Sequence, residues 1–139
     1  MKTTLSLSGG KDSTFLLLEL IRRGTPPDEC VFFDTGWEFP QMYRHMDRLR
    51  ALCEENGIEF TVLHPAKSFD YLMFEKPVRE KTGGTHCGYS WCGARGIRWG
   101  TTEKTKALDQ HNKGNIVLIG IAADEPRDAT SSRENGRTT

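Results

Sequence analysis

The sequence predicts an α/β protein with a parallel, Rossmann-like open sheet that helices cover on both faces. Short apolar segments alternate with helical patterns along the chain, and strands that alternate with helices pair in parallel. The second apolar segment, residues 30–34, is a continuous run, which suits a strand buried on both faces. Ligands in such folds bind beyond the carboxyl ends of the strands. Distinctive residues follow three of the predicted strands: Ser8-Gly9-Gly10, Asp34-Thr35-Gly36 and Asp124-Glu125.

The elements follow in order from the spacing of apolar residues. Leu5 and Leu7 alternate as in a strand, and the next helical pattern is apolar on most of its surface, so this helix should pack against the sheet. Gly24 and Gly57 stand where the first two helices are expected to end. Residues 83–100 are rich in glycine and tryptophan and are expected to form a functional loop. Strands are predicted at residues 3–7, 30–34, 59–64 and 115–122, and helices at residues 13–23, 40–56, 68–75 and 101–111.

Composition limits the classes of function. Lysine plus arginine and aspartate plus glutamate both total 19, so no net charge attracts nucleic acid, which is not indicated as a partner. No apolar run approaches the roughly 20 residues that span a bilayer, and no signal peptide precedes the first strand. We therefore expect a cytoplasmic protein with no membrane partner. One domain is expected over residues 1–123, followed by a mobile polar tail, residues 124–139.

The cysteines are expected to be reduced thiols in that compartment. Cys30 opens an apolar strand and Cys53 falls in a helical pattern, so both are expected in the core. Cys87 and Cys92, with His86 beside the first, have a spacing that suits neither a zinc site nor an iron–sulfur cluster. No metal site is predicted, and Cys92 is interpreted either as a structural thiol or as a redox thiol.

The segment after the first strand is expected to bind phosphate. Two adjacent glycines let the backbone turn tightly and approach a ligand, and the helix that follows offers unpaired amides and the positive end of its dipole. Lys11 adds a positive charge, and Asp12 is placed to hold a magnesium-bound phosphate, so these two are the expected catalytic residues. The glycine spacing is that of neither a Walker loop nor a dinucleotide fingerprint. The residues expected to hold the nucleotide here are Ser8, Gly9, Gly10, Lys11, Asp12 and Ser13.

This hexapeptide resembles the PP-loop of the adenine nucleotide alpha-hydrolase-like superfamily, which includes ATP pyrophosphatases and phosphoadenosine phosphosulfate (PAPS) reductases. Residues 33–40, Phe-Asp-Thr-Gly-Trp-Glu-Phe-Pro, are similar to the second signature of the PAPS reductase branch. The resemblance implies a HUP-type sheet and an adenine nucleotide ligand. Gly36 frees the chain to turn, so that Thr35 and Gly36 can present backbone groups to the adenine edge. Asp34 is within expected reach of a ribose hydroxyl or a metal.

A third similar stretch covers residues 98–104. Relatives have Arg-Trp-Cys-Thr-x-x-Lys there, and this chain has Gly100 in place of the cysteine. Thr101 is predicted as the N-cap of the following helix, so that Arg98, Lys104 and the helix start hold a sulfate or phosphate. A solvated basic face is the alternative interpretation of these charges.

A fourth similar stretch begins at Gly120, after the last predicted strand. Relatives have Gly-x-Arg there, and Ala122 replaces the arginine, with Arg127 left as a substitute. The Glu-Cys-Gly-[Leu/Ile]-His motif that carries the catalytic cysteine of the reductases is absent from this sequence. We therefore expect either that the chain is truncated relative to the family or that the reductase reaction is not carried by this polypeptide alone.

These observations favour a PAPS reductase-like domain that binds an adenylyl nucleotide, either PAPS, APS or ATP, with Mg²⁺ as an accompanying ion. One alternative is an ATP pyrophosphatase that adenylylates an acceptor or transfers sulfur to it. The other is a non-catalytic nucleotide-binding module. The expected partner is a small-molecule nucleotide, and a homodimer is left open.

Overall fold

The computed structural model describes residues 1–91 and 98–122, and its main feature is an all-parallel sheet of four strands. The order of elements along the chain is β1 Thr3–Leu7, α1 Lys11–Arg22, β2 Glu29–Phe33, α2 Pro40–Glu55, β3 Glu59–Leu63, a π-helical turn Tyr71–Glu75, β4 Pro77–Arg79, β5 Thr85–Cys87, α3 Trp99–His111 and β6 Ile116–Ile119. The α/β class and the parallel sheet are confirmed.

The helices cover both faces of the sheet, as predicted. On one face, Leu17 of α1 and Leu49 of α2 pack with Leu5 and Phe32 in the larger hydrophobic core. On the other face, Trp99 at the start of α3 packs with Phe33 of β2 in a second core. All five residues of β2 are buried, which accounts for its continuous apolar sequence.

The strand order determines which loops can meet. The sheet runs β3-β2-β1-β6, so β1 lies between β2 and β6. After β1 the chain forms β2 and β3 on one side of β1, and it later forms β6 on the other side. The strand order therefore reverses between β1 and β6. Ligands in open parallel sheets bind at this reversal, outside the carboxyl ends. Ser6 is in register with Ile119, so the segments after β1 and β6 leave the sheet side by side.

Two sequence predictions differ from the structure. An antiparallel hairpin, β4 paired with β5, occupies part of the region predicted as loop, with Val78 opposite His86. The last strand ends at Ile119 rather than at Ala122. The predicted tail, residues 124–139, lies outside the described residues, as do Cys92 and Arg127. Within residues 1–91 and 98–122, no helix has the length and apolar character to cross a membrane.

Candidate nucleotide site

The turn after β1 requires glycine at Gly9. Its φ of 85° lies in the left-handed region, and a Cβ atom built there would lie 2.1 Å from the Sδ atom of Met42 on α2. Both the backbone conformation and the space therefore exclude a side chain. The first of the two predicted glycines thus brings the loop backbone against α2, while Gly10 is the N-cap of α1.

Two serine hydroxyls join the ends of this loop. The Ser8 amide donates to Ser13 Oγ at 3.3 Å, and the Ser8 and Ser13 hydroxyls are also 3.3 Å apart. Ser8 Oγ accepts from the Gly10 amide at 3.3 Å. Ser13 is buried, so its predicted role as a donor to the ligand is shared with holding the turn. Ser8 is exposed and remains at the surface of the loop.

The start of α1 presents the chemistry of an anion site. Gly10 is the N-cap and has no side chain to accept from the first-turn amides, so these donors face the loop. Lys11 is 85% exposed, and its ammonium lies 3.0 Å from the Asp12 carboxylate. The pair leaves an exposed cation beside uncapped amides, which is the arrangement that binds phosphate at helix N-termini.

Gly120 brings the end of β6 to the same place. A Cβ atom built on Gly120 would lie 2.7 Å from backbone atoms of Asp12 and from the Ser13 nitrogen. Because those neighbours are backbone atoms, no side-chain rearrangement could relieve the clash. The carboxyl ends of β1 and β6 therefore converge on the first turn of α1, at the point where the strand order reverses.

A cavity lies on each side of that helix start. One, of about 360 Å³, lies between α1 and the end of β6, and Asp12, Phe15, Gly120 and Ala122 are among its lining residues. The other, of about 420 Å³, lies between the loop and α2. Its lining residues are Gly9, Gly10, Lys11, Thr14, Phe15, Leu18 and His45. The sequence motif does not include Thr14, Phe15 or His45. Thr14 and Phe15 follow the motif on α1, and His45 lies on α2, which reaches this cavity only through tertiary packing.

The segment after β2 forms a turn held by its own side chains. Asp34 Oδ1 accepts from the Gly36 amide and from the Tyr43 hydroxyl, each at 2.8 Å, and Thr35 Oγ1 accepts from the Trp37 amide at 3.0 Å. Burial and the hydrogen bond to Asp34 raise the pKa of Tyr43. Both contacts of Asp34 use the same oxygen, so within the described residues its Oδ2 atom remains available to a ligand. The Gly36 amide, which was predicted to face the adenine edge, donates instead to Asp34 inside the turn.

The predicted role of Thr101 as an N-cap is wrong. The helix begins at Trp99 with Arg98 at the N-cap position, and Thr101 lies exposed in the first turn. The physical reason is tertiary: the Trp99 ring packs on Phe69, with centroids 4.8 Å apart. Its indole also donates to the Ser90 carbonyl at 3.0 Å.

Arg98 and Lys104 are not joined to the phosphate loop. Within the described part of the chain, no hydrogen bond or ion pair links either residue to residues 8–13. They lie at the start of α3, on the face of the sheet opposite α1 and α2. Their predicted contact with a sulfate or phosphate therefore stays a prediction.

An aromatic cluster joins the turn after β2 to the start of α3. Trp37, after β2, contacts Phe69 and Trp99 edge to face at 5.4 and 6.1 Å, and Trp91 is nearly parallel to it at 6.4 Å. Trp37 also donates from its indole to Asp70 at 3.0 Å. Trp37 belongs to the stretch, residues 33–40, that the sequence predicts to face the nucleotide. In the structure it also joins the turn after β2 to α3.

The described cysteines lie away from the phosphate loop. Cys30 and Cys53 are fully buried in the core, as predicted, and the neighbouring Cys53 sulfur together with burial raises the pKa of the Cys30 thiol. Cys87 is exposed on β5. Among the described residues, no group of three or more His, Cys, Asp or Glu side chains is arranged to hold a metal ion.

Comparison with known proteins points to one family. A family model described as "Phosphoadenosine phosphosulfate reductase domain" matches residues 2–135. The chain is 31% identical to the uncharacterized nin region protein ORF290 of Escherichia phage lambda, over 91% of the chain and 50% of that protein. It is 34% identical to a tRNA(Ile)-lysidine synthase of Chlamydia caviae, over 55% of the chain and 28% of that enzyme.

A tRNA(Ile)-lysidine synthase of Chlamydia abortus is similar at 35% identity, over 55% of the chain and 27% of that enzyme. The chain therefore spans half or less of the length of these curated relatives. No solved structure matches it.

Proposed function

The chain belongs to the phosphoadenosine phosphosulfate reductase domain family, and from this premise we propose that it binds an adenine nucleotide with its phosphates on residues 8–13. One observation carries the proposal: the Gly120 backbone lies against the first turn of α1, where a Cβ would be 2.7 Å from Asp12 and Ser13. A glycine held this close to uncapped amides, at the reversal of strand order, is what a phosphate site in an open parallel sheet needs.

Each loop residue has a role in the proposed complex. The first-turn amides and the Lys11 ammonium hold the phosphates, while Ser8 and Ser13 shape the turn. Asp12 would hold a Mg²⁺ ion that offsets the charge of the phosphates, and it keeps Lys11 oriented through their 3.0 Å contact. Asp34, through its Oδ2 atom, binds a ribose hydroxyl, and Thr35 and Gly36 lie beside the base. We also propose that Arg98 and Lys104 bind a second anionic group of the ligand, and that the protein works in the cytoplasm.

The leading ligand is a sulfonucleotide, PAPS or APS, because the family name and residues 33–40 both point to that branch. We propose that the described residues bind a sulfonucleotide, and we do not propose that they reduce it. The described thiols, Cys30, Cys53 and Cys87, line neither cavity at the loop. A thiolate that attacks sulfur has to reach the bound nucleotide.

A second candidate function is cleavage of ATP between its α and β phosphates. Two observations favour it: tRNA(Ile)-lysidine synthases, which are members of the PP-loop superfamily, are among the relatives, and Ala122 replaces the arginine of the reductase pattern. In that case Lys11 would stabilise the departing pyrophosphate, with further charge compensation from a Mg²⁺ ion if one is bound. Release of pyrophosphate from ATP would then depend on an acceptor.

Calorimetric titration with PAPS, ATP and adenosine 3′,5′-bisphosphate, each with and without Mg²⁺, tests the proposal. We expect at least one ligand to bind more tightly than about 1 mM, and Lys11→Ala to weaken it about tenfold or more through loss of a charge-assisted contact. Lys113→Ala, an exposed lysine beyond α3, is the matched control and should leave affinity unchanged.

The pattern of ligands separates the two functions. Dependence on a 3′-phosphate selects a sulfonucleotide, whereas dependence on a triphosphate together with pyrophosphate release selects ATP cleavage. Binding without any turnover selects a non-catalytic module. If no ligand binds below about 1 mM, or if Lys11→Ala binds as the unmodified protein does, the nucleotide site is wrong.

A further inference from the structure

His45 contacts the start of α1 from outside the sequence motif. It lies on α2, and its Nε2 atom is 3.0 Å from Thr14 Oγ1 in the first turns of α1. It also lines the 420 Å³ cavity that Gly9, Gly10 and Lys11 border. This side chain is therefore the point at which α2 makes a polar contact with the helix that carries the phosphate site.

The direction of the hydrogen bonds follows from the number of protons. The Thr14 hydroxyl donates to the Gly10 carbonyl at 2.9 Å. A hydroxyl has one hydrogen, so Thr14 Oγ1 can only accept in its second contact, and His45 Nε2 must be the donor. The result is a directed chain from His45 to Thr14 to the Gly10 carbonyl, and it requires the imidazole to carry its proton on Nε2.

The end of this chain orients the first free amide of the anion site. The Gly10 carbonyl also accepts from the Thr14 amide at 3.3 Å and from Ser13 Oγ at 3.4 Å, so the two donors of Thr14 hold it toward the helix together with Ser13. The described chain has no cis peptide, so the carbonyl of Gly10 and the N–H of Lys11 lie on opposite sides of one planar unit. Fixing the carbonyl inward fixes the Lys11 amide outward, toward the loop.

We propose that His45 is a positioning residue for nucleotide binding: its Nε2–H, through Thr14 and the Gly10 carbonyl, holds the Gly10–Lys11 peptide in the orientation that presents its amide to a phosphate. The inference rests on the proposed nucleotide site. It assigns to α2 a role in ligand affinity that the hexapeptide motif does not contain. Without this brace the Gly10 carbonyl keeps its helical bond from the Thr14 amide, but the peptide unit is held less firmly in the orientation that presents the Lys11 amide to the ligand.

Substitutions that keep or remove one specific donor test the proposal. His45→Gln places an amide N–H where Nε2 stands, whereas His45→Asn places it where Nδ1 stands, and His45→Leu removes it. We expect Leu and Asn to raise the Kd of the nucleotide bound by the unmodified protein three- to tenfold, and Gln to restore it to within about twofold. Thr14→Val also removes the hydroxyl that donates to the Gly10 carbonyl, so it should weaken binding at least as much as His45→Leu, and the double variant should be no weaker than Thr14→Val.

Controls keep the result interpretable. Gln41→Ala, an exposed residue in the first turn of α2, should leave the Kd unchanged, and melting temperatures recorded for every variant identify any that fail to fold. Failure of the unmodified protein to bind any nucleotide overturns the proposed function. Normal binding by the unmodified protein with equal affinity in His45→Leu overturns the role of His45 alone. Additive losses in the double variant, or no rescue by Gln, also overturn it.

Discussion

The two ends of the parallel sheet treat charge in opposite ways. At the amino end, Glu29 is buried and its carboxylate accepts from His111 and, at 2.9 Å, from Lys2, which also contacts Glu59 at 2.7 Å. At the carboxyl end, Lys11 is 85% exposed and has Asp12 as its partner. The amino end satisfies its charges internally and so contributes to stability. The carboxyl end leaves donors free, which is useful only to a ligand.

The contacts with His111 and Lys2 determine the pKa of Glu29. Burial alone would raise its pKa, but the hydrogen bonds from His111 and Lys2 outweigh burial and hold the pKa of Glu29 below its ordinary 4.5. A carboxyl group whose pKa is lowered on folding stabilises the folded state wherever it is ionised. Changes at the amino end should therefore affect folding without affecting binding, whereas changes at the carboxyl end should affect binding.

The largest expected effect is at the carboxyl end, in Gly9→Ala. The new methyl group would meet Met42 Sδ at 2.1 Å in a left-handed conformation, so the loop must move. We expect nucleotide binding to be lost and the free energy of unfolding to fall by about 1–3 kcal/mol, measured by calorimetric titration and urea unfolding. Gly24→Ala is the control, because φ there is 72° and nothing lies within 4 Å. It should lose about 1 kcal/mol of stability and keep full affinity, and equal binding by both variants would contradict the prediction.

An intermediate effect is expected at the amino end, in Glu29→Gln. This change leaves two donors facing a neutral acceptor in a buried position, so we expect the free energy of unfolding at pH 7 to fall by about 2 kcal/mol with nucleotide affinity unchanged. Glu59→Gln removes a carboxylate that is 58% exposed and should cost less than about 1 kcal/mol.

The same variant sharpens the comparison through pH. Because folding lowers the pKa of Glu29, its contribution is fully present above the unfolded value of 4.5 and is lost as pH falls through the lower folded value. The stability difference between the unmodified protein and Glu29→Gln, measured by urea unfolding, should stay constant from pH 7 to about 5 and shrink below 4.5. A difference that grows in acid would show that the carboxylate destabilises the fold.

The smallest expected effect is in Thr101→Ala, beside the start of α3. Arg98 occupies the N-cap position, so Thr101 caps nothing and the free energy of unfolding should change by less than about 0.5 kcal/mol. Thermal unfolding of this variant provides the measurement. A loss of about 1 kcal/mol, typical of a removed N-cap, would restore Thr101 to the role that the sequence suggested.

The sequence predicted what local patterns encode. The parallel sheet followed from the continuous apolar run that became β2, and the tight turn before α1 followed from the adjacent glycines. The hairpin was not predictable in this way, because every residue of β5 is exposed and Val78 is the half-buried centre of β4. No alternation of apolar and polar residues marks such strands.

The rest of the site depends on packing between distant segments. Met42 and His45 reach the loop only because α2 packs beside α1, and no spacing rule relates position 45 to position 14. Thr101 shows the opposite failure: a valid local rule gave the wrong residue because burial of Trp99 moved the helix start. The motif predicts where phosphate binds, and the tertiary contacts show what holds the motif in place.

The pairing of β6 with β1 also sets when the site can form during synthesis. Thr4 Oγ1 donates to the Ile116 carbonyl across 112 residues of sequence, and Gly120 follows β6 directly. A contact between such distant residues forms late, because the entropy of closing the loop opposes it. A nascent chain in which residues 8–13 have been synthesised but β6 has not therefore contains the whole motif without a site that can bind nucleotide. Binding of nucleotide would thus report that β6 has docked, and it would favour the finished fold over every earlier intermediate.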